Sequence, residues 1–261
     1  MSYNLLSVGK NPKIDKSNKV SSKYWSVIMH LRPVNTKICP YQDIAKCKSA
    51  CLNTAGLGGV YPSIQKARQR KTDLFLNDRT EFMKQLISDI QKFVRACDRK
   101  DKLPAIRLNG TSDIQWENIY VGNMEQYSLD TTDISNVEVF NKKQLGLDCK
   151  NIFEMFPNVQ FYDYTKIPTR KVDNIPNYHL TWSYSEANDK YAKMFDQVPN
   201  NKAVVFRTKD LPSMFRGLEV IDGDTHDMRF LDKPNSVVGL KAKGQAKKDY
   251  SGFVIDAIQL V

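Results

Sequence analysis

Cysteine is the residue type whose spacing in this chain says most about chemistry. Five cysteines stand at positions 39, 47, 51, 97 and 149, and the first three form the motif Cys39-x7-Cys47-x3-Cys51. The odd number argues against a disulfide framework, and the paired Cys-x2-Cys spacing typical of structural zinc is absent. Three thiolates on one loop suit a [4Fe-4S] cluster with one iron left open.

The same spacing leaves two other interpretations open. The three cysteines could bind zinc with a fourth ligand from elsewhere in the chain, or they could stay reduced and free of metal. Cys97 is a different case, because it falls on the apolar stripe of a predicted helix, where a small core residue is expected.

Positive charge is concentrated in the first part of the chain. Residues 1–72 contain 13 Lys/Arg against 2 Asp/Glu, and the remaining 189 residues contain 26 against 27, within a net charge of +10. Such a field attracts phosphates, anionic cofactors or nucleic acid, with Lys66, Arg68, Arg70 and Lys71 as candidate phosphate contacts. The alternative is a lysine-rich segment kept soluble by its charge.

Length and composition are those of an ordinary globular protein. The chain has 261 residues, of which 41% are hydrophobic and 26% charged. No apolar run approaches the ~18–20 residues that span a bilayer, and the N-terminus lacks the apolar stretch of a secretory signal. We therefore expect an intracellular protein without a membrane partner.

The elements that position the cysteines begin with a buried strand. The aromatic and β-branched run Tyr24–Leu31 predicts this strand, and a cysteine loop over 39–59 follows it. A short basic helix is expected over Ser63–Thr72, and Asp78 or Thr80 is expected to cap a longer one. The apolar residues of that second helix recur at spacings of three and four: Phe82, Leu86, Ile90, Phe93, Val94 and Cys97.

Further along the chain, short apolar strands alternate with helical stretches. Strands are expected near 103–109, 159–163, 178–183, 202–207, 219–222 and 236–241, with helices near 187–195 and 210–215. This alternation predicts an α/β fold with a parallel sheet, and a partial or complete (β/α) barrel of the TIM type is its natural closed form. We expect one domain over 1–261, with a basic N-terminal arm (1–23) and a polar insertion (117–148). The acidic run Asp222–Asp227 is expected to be a solvated turn or a hard-cation site.

In a parallel barrel the active site forms at the carboxyl ends of the strands, where several polar side chains of this sequence fall. These groups are expected to gather around the cysteine loop and to bind a small molecule there. The candidates are Asn109, Ser112 and Asp113 for a ribose or amino group, and Lys166, Arg170 and Arg207 for a carboxylate or phosphate.

Several segments together resemble a bacteriophage family, the one named for mycobacteriophage gene product eighty-eight. The resemblance implies a viral protein that works in the cytoplasm of the infected host cell, and it brings no settled function. The segments that carry it are Leu5–Lys16, Cys39–Pro40, Cys51–Gly56, Ile64–Thr72, Arg107–Ile114, Phe161–Lys166 and Val220–Asp232.

A looser resemblance is to radical S-adenosylmethionine enzymes. These enzymes place a three-cysteine [4Fe-4S] loop after the first strand of a partial (β/α) barrel, and their open iron binds the amino and carboxylate groups of S-adenosylmethionine. Here the cysteine loop also follows the apparent first strand, and Gly58 and Gly59 resemble the glycines of their methionine-binding strand. Their usual spacing, Cys-x3-Cys-x2-Cys, differs from the spacing of Cys39, Cys47 and Cys51.

The leading hypothesis is therefore a phage [4Fe-4S] protein, similar to radical S-adenosylmethionine enzymes, with that cofactor as a candidate ligand and an unknown substrate. A second hypothesis is a zinc-binding scaffold whose basic residues 1–72 bind nucleic acid without catalysis. A third is a cluster protein with a redox or sensing role and no S-adenosylmethionine chemistry.

Overall fold

The computed structural model describes residues 4–7, 12–121 and 149–257. None of the helices in these ranges is both long and apolar enough to cross a bilayer. The helices are α1 (Pro12–Val20), α2 (Leu57–Val60), α3 (Pro62–Asn77), α4 (Arg79–Asp98), α5 (Ile152–Met155) and α6 (Asp189–Ala192). The strands are β1 (Leu6–Ser7), β2 (Tyr24–Met29), β3 (Leu103–Arg107), β4 (Gln160–Thr165), β5 (Tyr178–Ser183), β6 (Lys202–Arg207), β7 (Met214–Phe215), β8 (Leu218–Asp222), β9 (Val237–Lys241) and β10 (Val254–Asp256).

These strands form one mostly parallel sheet in the order β1-β2-β3-β4-β5-β6-β9-β8-β7. Strands β2 to β6 lie side by side in chain order and run parallel. β9 and β8 continue the parallel sheet, and β10 pairs with the last part of β6. The predicted α/β class with a parallel sheet is confirmed.

The sheet is open, so the prediction of a complete TIM barrel is wrong. Short antiparallel strands occupy both edges, β1 beside β2 and β7 beside β8. A TIM barrel has a helix after each strand. In the described chain the β4–β5 connection contains no helix, and the β5–β6 connection contains only the four-residue α6. The helix expected near 210–215 is also absent, because β7 lies there.

The helical layer covers one face of the sheet, and α4 is its main component. Strand pairing brings Val27 and Ile106 onto the same face, where both side chains are fully buried with the apolar stripe of α4. Asp78 caps α4 by accepting the backbone N–H of Glu81 at 3.0 Å. Cys97 is fully buried on this stripe, as the periodicity predicts.

The opposite face is covered by part of the segment that the sequence predicts to be a basic arm. β1 pairs with β2, and α1 lies along β2, where the Asn18 amide binds the backbone N–H and C=O of Ser26 at 2.6 and 3.0 Å. Ile14 of α1 is buried, and Leu5 and Leu6 at the sheet edge are buried in the core cluster of α4. The arm prediction is wrong for these residues, because lysines separate the few apolar side chains and hide their pattern in the sequence.

A buried carboxylate fastens α1 to the sheet. Asp227 accepts from Arg107 Nη1 at 2.7 Å and pairs with Lys13 Nζ at 3.0 Å. Its backbone N–H donates to Ser17 Oγ at 2.7 Å. Burial alone raises the pKa of Asp227, but Arg107 and Lys13 outweigh burial and hold that pKa well below its usual range. Asp227 is therefore part of the core, not of a solvated turn.

The predicted insertion over 117–148 begins inside the core. Glu117 binds the buried Arg170 through two bonds, from Nε at 2.7 Å and from Nη2 at 2.6 Å, and Val121 is buried. Residues 117–121 therefore belong to the domain proper, and residues 122–148 lie outside the described residues.

We expect Asp227→Ala to lower the free energy of unfolding by about 3–5 kcal/mol, because it leaves Arg107 buried without its partner. The measurement is urea denaturation followed by circular dichroism. The exposed Asp210→Ala is the control and should change stability by less than about 0.5 kcal/mol. Equal effects of the two variants would contradict the role given to this ion pair.

Candidate functional site

The cysteine loop leaves the carboxyl end of β2 and leads to α2. Between residues 35 and 50 it forms turns and bends rather than helix or strand. Its first part is fastened to the loop after β3, because the Asp113 N–H donates to the Ile38 carbonyl at 2.9 Å. Cys39 Sγ also donates to the Thr111 carbonyl at 4.0 Å. Cys39 therefore lies at the carboxyl ends of two neighbouring strands.

The structure brings the thiols of Cys39, Cys47 and Cys51 near one another. Burial raises the pKa of all three thiols, and the charge of each of the other two raises the pKa of Cys39 further. Cys47 Sγ donates to the Gln42 carbonyl at 3.9 Å, and Cys51 Sγ accepts the Asn53 N–H at 3.4 Å. Across the described ranges, however, no three His, Cys, Asp or Glu side chains are placed to hold a metal ion.

Lys166 lies at the carboxyl ends of β4 and β5, where its charge interacts with the thiols of Cys47 and Cys51. Its backbone N–H donates to Asp113 Oδ2 at 2.7 Å, and its ammonium donates to the carbonyls of Ser183 and Tyr184 at 2.9 and 3.2 Å. Burial lowers the pKa of Lys166 to about 8, although the neighbouring thiols and Asp113 favour the charged form. The cysteine loop thus has one half-buried cation and one buried carboxyl near it.

Helix α3 holds the last part of the cysteine loop. Arg68 Nη1 donates to the carbonyl and to the side-chain oxygen of Asn53 at 2.8 and 2.9 Å. Gln65 Nε2 donates to the carbonyls of Asn53 and Gly58 at 2.6 and 2.7 Å. These bonds fix the chain immediately after Cys51, and the Arg68 charge acts on that thiol.

Gly58 and Gly59 lie in the helical turn α2, not in a strand as the radical-enzyme resemblance implies. A Cβ atom at Gly59 would lie 2.1 Å from the Thr54 carbonyl oxygen, and one at Gly58 would lie 3.0 Å from the Asn53 carbonyl. The packing of the loop on itself therefore requires glycine at 59, and at 58 a Cβ atom would crowd the Arg68 side chain and the Asn53 carbonyl.

Asn109 and Ser112 hold the loop after β3 in shape. The Asn109 side-chain oxygen accepts from Ser112 Oγ at 2.8 Å, from Ile114 N at 3.0 Å and from Trp116 Nε1 at 3.2 Å. The Asn109 N–H donates to Asp163 Oδ1 at 2.6 Å. Both side chains are buried with their hydrogen bonds made inside the protein, which favours a positioning role over direct contact with a ribose.

The two predicted arginines lie in other networks. Arg170, besides its pair with Glu117, donates to Asp113 Oδ1 at 3.3 Å and to the Tyr178 hydroxyl at 2.7 Å. Arg207 binds the C-terminal part of the chain, with its Nε 2.6 Å from Asp256 Oδ1. Among the polar candidates, Asp113 and Lys166 are therefore the ones that lie beside the cysteines.

Gln42 is a residue of this loop that the spacing does not predict. Its side chain is 5% exposed, and in the described part of the structure its Oε1 has no hydrogen-bond partner. A buried acceptor without a donor costs free energy. The loop therefore holds an acceptor that the described contacts leave unsatisfied, and a lone glutamine among polar residues gives no sequence signal of it.

The four basic residues predicted to contact phosphate divide into two pairs. Lys66 and Arg70 are exposed, whereas Arg68 binds the cysteine loop and Lys71 Nζ donates to the Leu5 carbonyl at 2.6 Å. Burial lowers the pKa of Lys71 to about 8. Arg68 and Lys71 thus stabilise the fold, and Lys66 and Arg70 remain available to a ligand.

Comparison with known proteins identifies a family. A sequence model described as Gene product 88 matches residues 4–257, which include the cysteine loop, α3 and the strand-end loops described above. No curated protein and no solved structure matches the chain.

We expect Arg68→Met to loosen the loop after Cys51, because two hydrogen bonds from a charged donor are lost. Their combined contribution of about 2 kcal/mol corresponds to a roughly 30-fold faster hydrogen exchange of the amides of residues 52–59. Lys66→Met, on the exposed side of the same helix, is the matched control and should leave these rates unchanged. Unchanged exchange in Arg68→Met would show that Arg68 does not hold the loop.

Proposed function

The chain belongs to the phage gene product 88 family, and we propose that in this chain Cys39, Cys47 and Cys51 bind a [4Fe-4S] cluster with one open iron. The observation that carries the proposal is that three partly buried thiols lie on one loop at the carboxyl ends of parallel strands, where Lys166 interacts electrostatically with Cys47 and Cys51. When bound, such a cluster supplies single electrons to a small molecule held at the open iron.

The chemistry of the donor set fits this cluster. Thiolates are the ligands that iron–sulfur clusters require, and partial burial shields them from water. The cations Lys166 and Arg68 act on the thiols and offset their negative charge. The Asn53 N–H donates to Cys51 Sγ, and such bonds tune the potential of a cluster.

The number of thiols on the loop suits a cluster with one open iron. Structural zinc takes four protein ligands, whereas the loop supplies three cysteines. The loop from Asn35 to Ala50 consists of turns and bends, which allows it to adjust when metal binding and folding are coupled.

S-adenosylmethionine suits the surroundings of the proposed open iron. Its amino-acid end carries an ammonium and a carboxylate. The Gln42 side-chain oxygen can accept from the ammonium, and the positive charge of Lys166 can attract the carboxylate. The row of parallel strands from β2 to β6, with the cysteine loop after β2, supports a partial barrel of the radical-enzyme type. Asn109, Ser112 and Arg170 then position the loops, and a reducing host cytoplasm would keep the thiols available.

We expect anaerobically purified protein to absorb broadly near ~400 nm and to contain about four irons with matching sulfide. The triple variant Cys39→Ala/Cys47→Ala/Cys51→Ala should lose the absorbance and the iron, because three cluster ligands are removed. Cys149→Ser, which changes a cysteine outside the loop, is the matched control and should keep the absorbance and the iron. A colourless protein with about one zinc would refute the cluster. A cluster that does not cleave S-adenosylmethionine after reduction would favour a redox or sensing role.

We also expect Lys166→Met to lower the reduction potential of the cluster, on the order of 50 mV, because removal of a nearby positive charge disfavours the more negative reduced state. Lys166→Arg keeps the charge and should stay close to the wild-type potential. The measurement is a redox titration of samples matched for iron content. An equal potential in Lys166→Met and the wild type would place Lys166 too far from the cluster to act on it.

A further inference from the structure

A groove of about 610 Å³ lies between the residues that follow β2 and the first turns of α3. Cations line it at Arg32, Lys66 and Arg70, and the chain at Gly58–Pro62 forms another part of its wall. None of the lining residues is acidic. The groove therefore presents positive charge without a compensating carboxylate in its wall.

The side chains of the groove are available to a ligand. Arg32, Lys66 and Arg70 are exposed, and in the described residues Lys66 and Arg70 form no ion pair. Arg32 is oriented by a bond from its Nη1 to Gln69 Oε1 at 2.9 Å. Tyr61 is 52% exposed at the start of α3. A half-exposed tyrosine thus lines the same groove as three cations.

The cysteine loop next to the groove also carries an excess of positively charged residues. Residues 32–71 contain eight Lys/Arg and a single acidic residue, Asp43. The turn Gly244–Lys248 packs against the same loop, where a Cβ atom at Gly244 would lie 3.6 Å from Ala55 Cβ. Lys247 and Lys248 are exposed on this turn. The sequence assigns the basic character to residues 1–72, whereas the fold adds a lysine-rich turn from the other end of the chain.

We propose that this groove binds single-stranded nucleic acid. Arg32, Lys66 and Arg70 contact phosphates, and one base stacks on the Tyr61 ring. Proteins that bind single strands without sequence preference use two elements. Cations contact the phosphates of the nucleic-acid backbone, and an exposed aromatic ring stacks on a base. An acidic protein would use the cations but has no need of the ring, so the pairing of the two favours a nucleic-acid strand. The proposal does not depend on a metal at the cysteines.

The test is fluorescence anisotropy of a labelled oligothymidine of about 12 nucleotides with the full-length protein, between about 50 and 200 mM salt. Lys66→Gln/Arg70→Gln should weaken binding at least tenfold. It should also reduce the slope of log K against log salt by about 1.4, because each lost phosphate contact on a single strand removes about 0.7. The control Lys190→Gln/Lys209→Gln removes the same charge from exposed lysines outside the groove and should keep the slope.

The stacking role of the Tyr61 ring is tested with separate variants. Tyr61→Ala should weaken binding about tenfold, whereas Tyr61→Phe, which keeps a stacking surface, should bind like the wild type. Circular dichroism and thermal melting of each variant establish that it is folded. No binding at about 50 mM salt would overturn the proposal, as would equal loss in the groove and control variants. Polyglutamate that displaces the oligonucleotide and binds Tyr61→Ala as well as the wild type would overturn it in favour of an acidic protein.

Discussion

Asp113 is the residue through which the loops after three neighbouring strands are held together. Its N–H binds the Ile38 carbonyl, beyond β2, and its carboxylate accepts from the Lys166 N–H, beyond β4, and from Arg170. Burial raises the pKa of Asp113, and Arg170 and the Lys166 N–H oppose that shift. A charge in this position is costly unless it is paired. The position of Lys166 therefore depends on the Asp113 carboxylate, and the position of the loop at Cys39 depends on the Asp113 backbone N–H.

This arrangement gives the site its electrostatic character. The thiols, a carboxyl and the Lys166 ammonium are gathered in a partly dry region, where charges interact more strongly than in water. The parallel direction of β2 to β5 makes the gathering possible, because their carboxyl ends meet at one edge of the sheet. The open edges of the sheet do not affect it, since the site uses central strands.

The sequence predicts the local elements well, because their causes are local. The stripe of α4, its Asp78 cap and the run Tyr178–Ser183 follow from periodicity and composition. Whether the sheet closes into a barrel cannot be predicted from local patterns, because it depends on which strands, distant in sequence, pair at the two edges of the sheet. The same limit applies to Arg170 and Asn109, whose residue types suit ligand binding as well as internal hydrogen bonds. Only their buried partners decide between these roles.

The cations of α3 illustrate how position on a helix decides the role of a charge. Arg68 donates to the cysteine loop, whereas Lys66 and Arg70, four positions apart, line the groove, and Gln65 does both. One helix thus stabilises the cysteine loop and also presents positive charge to the groove. Since Gly58 contributes its carbonyl to Gln65 and also lines the groove, the two proposed sites share a wall. A nucleic acid bound in the groove would therefore be separated from the loop that carries Cys51 by the backbone around Gly58.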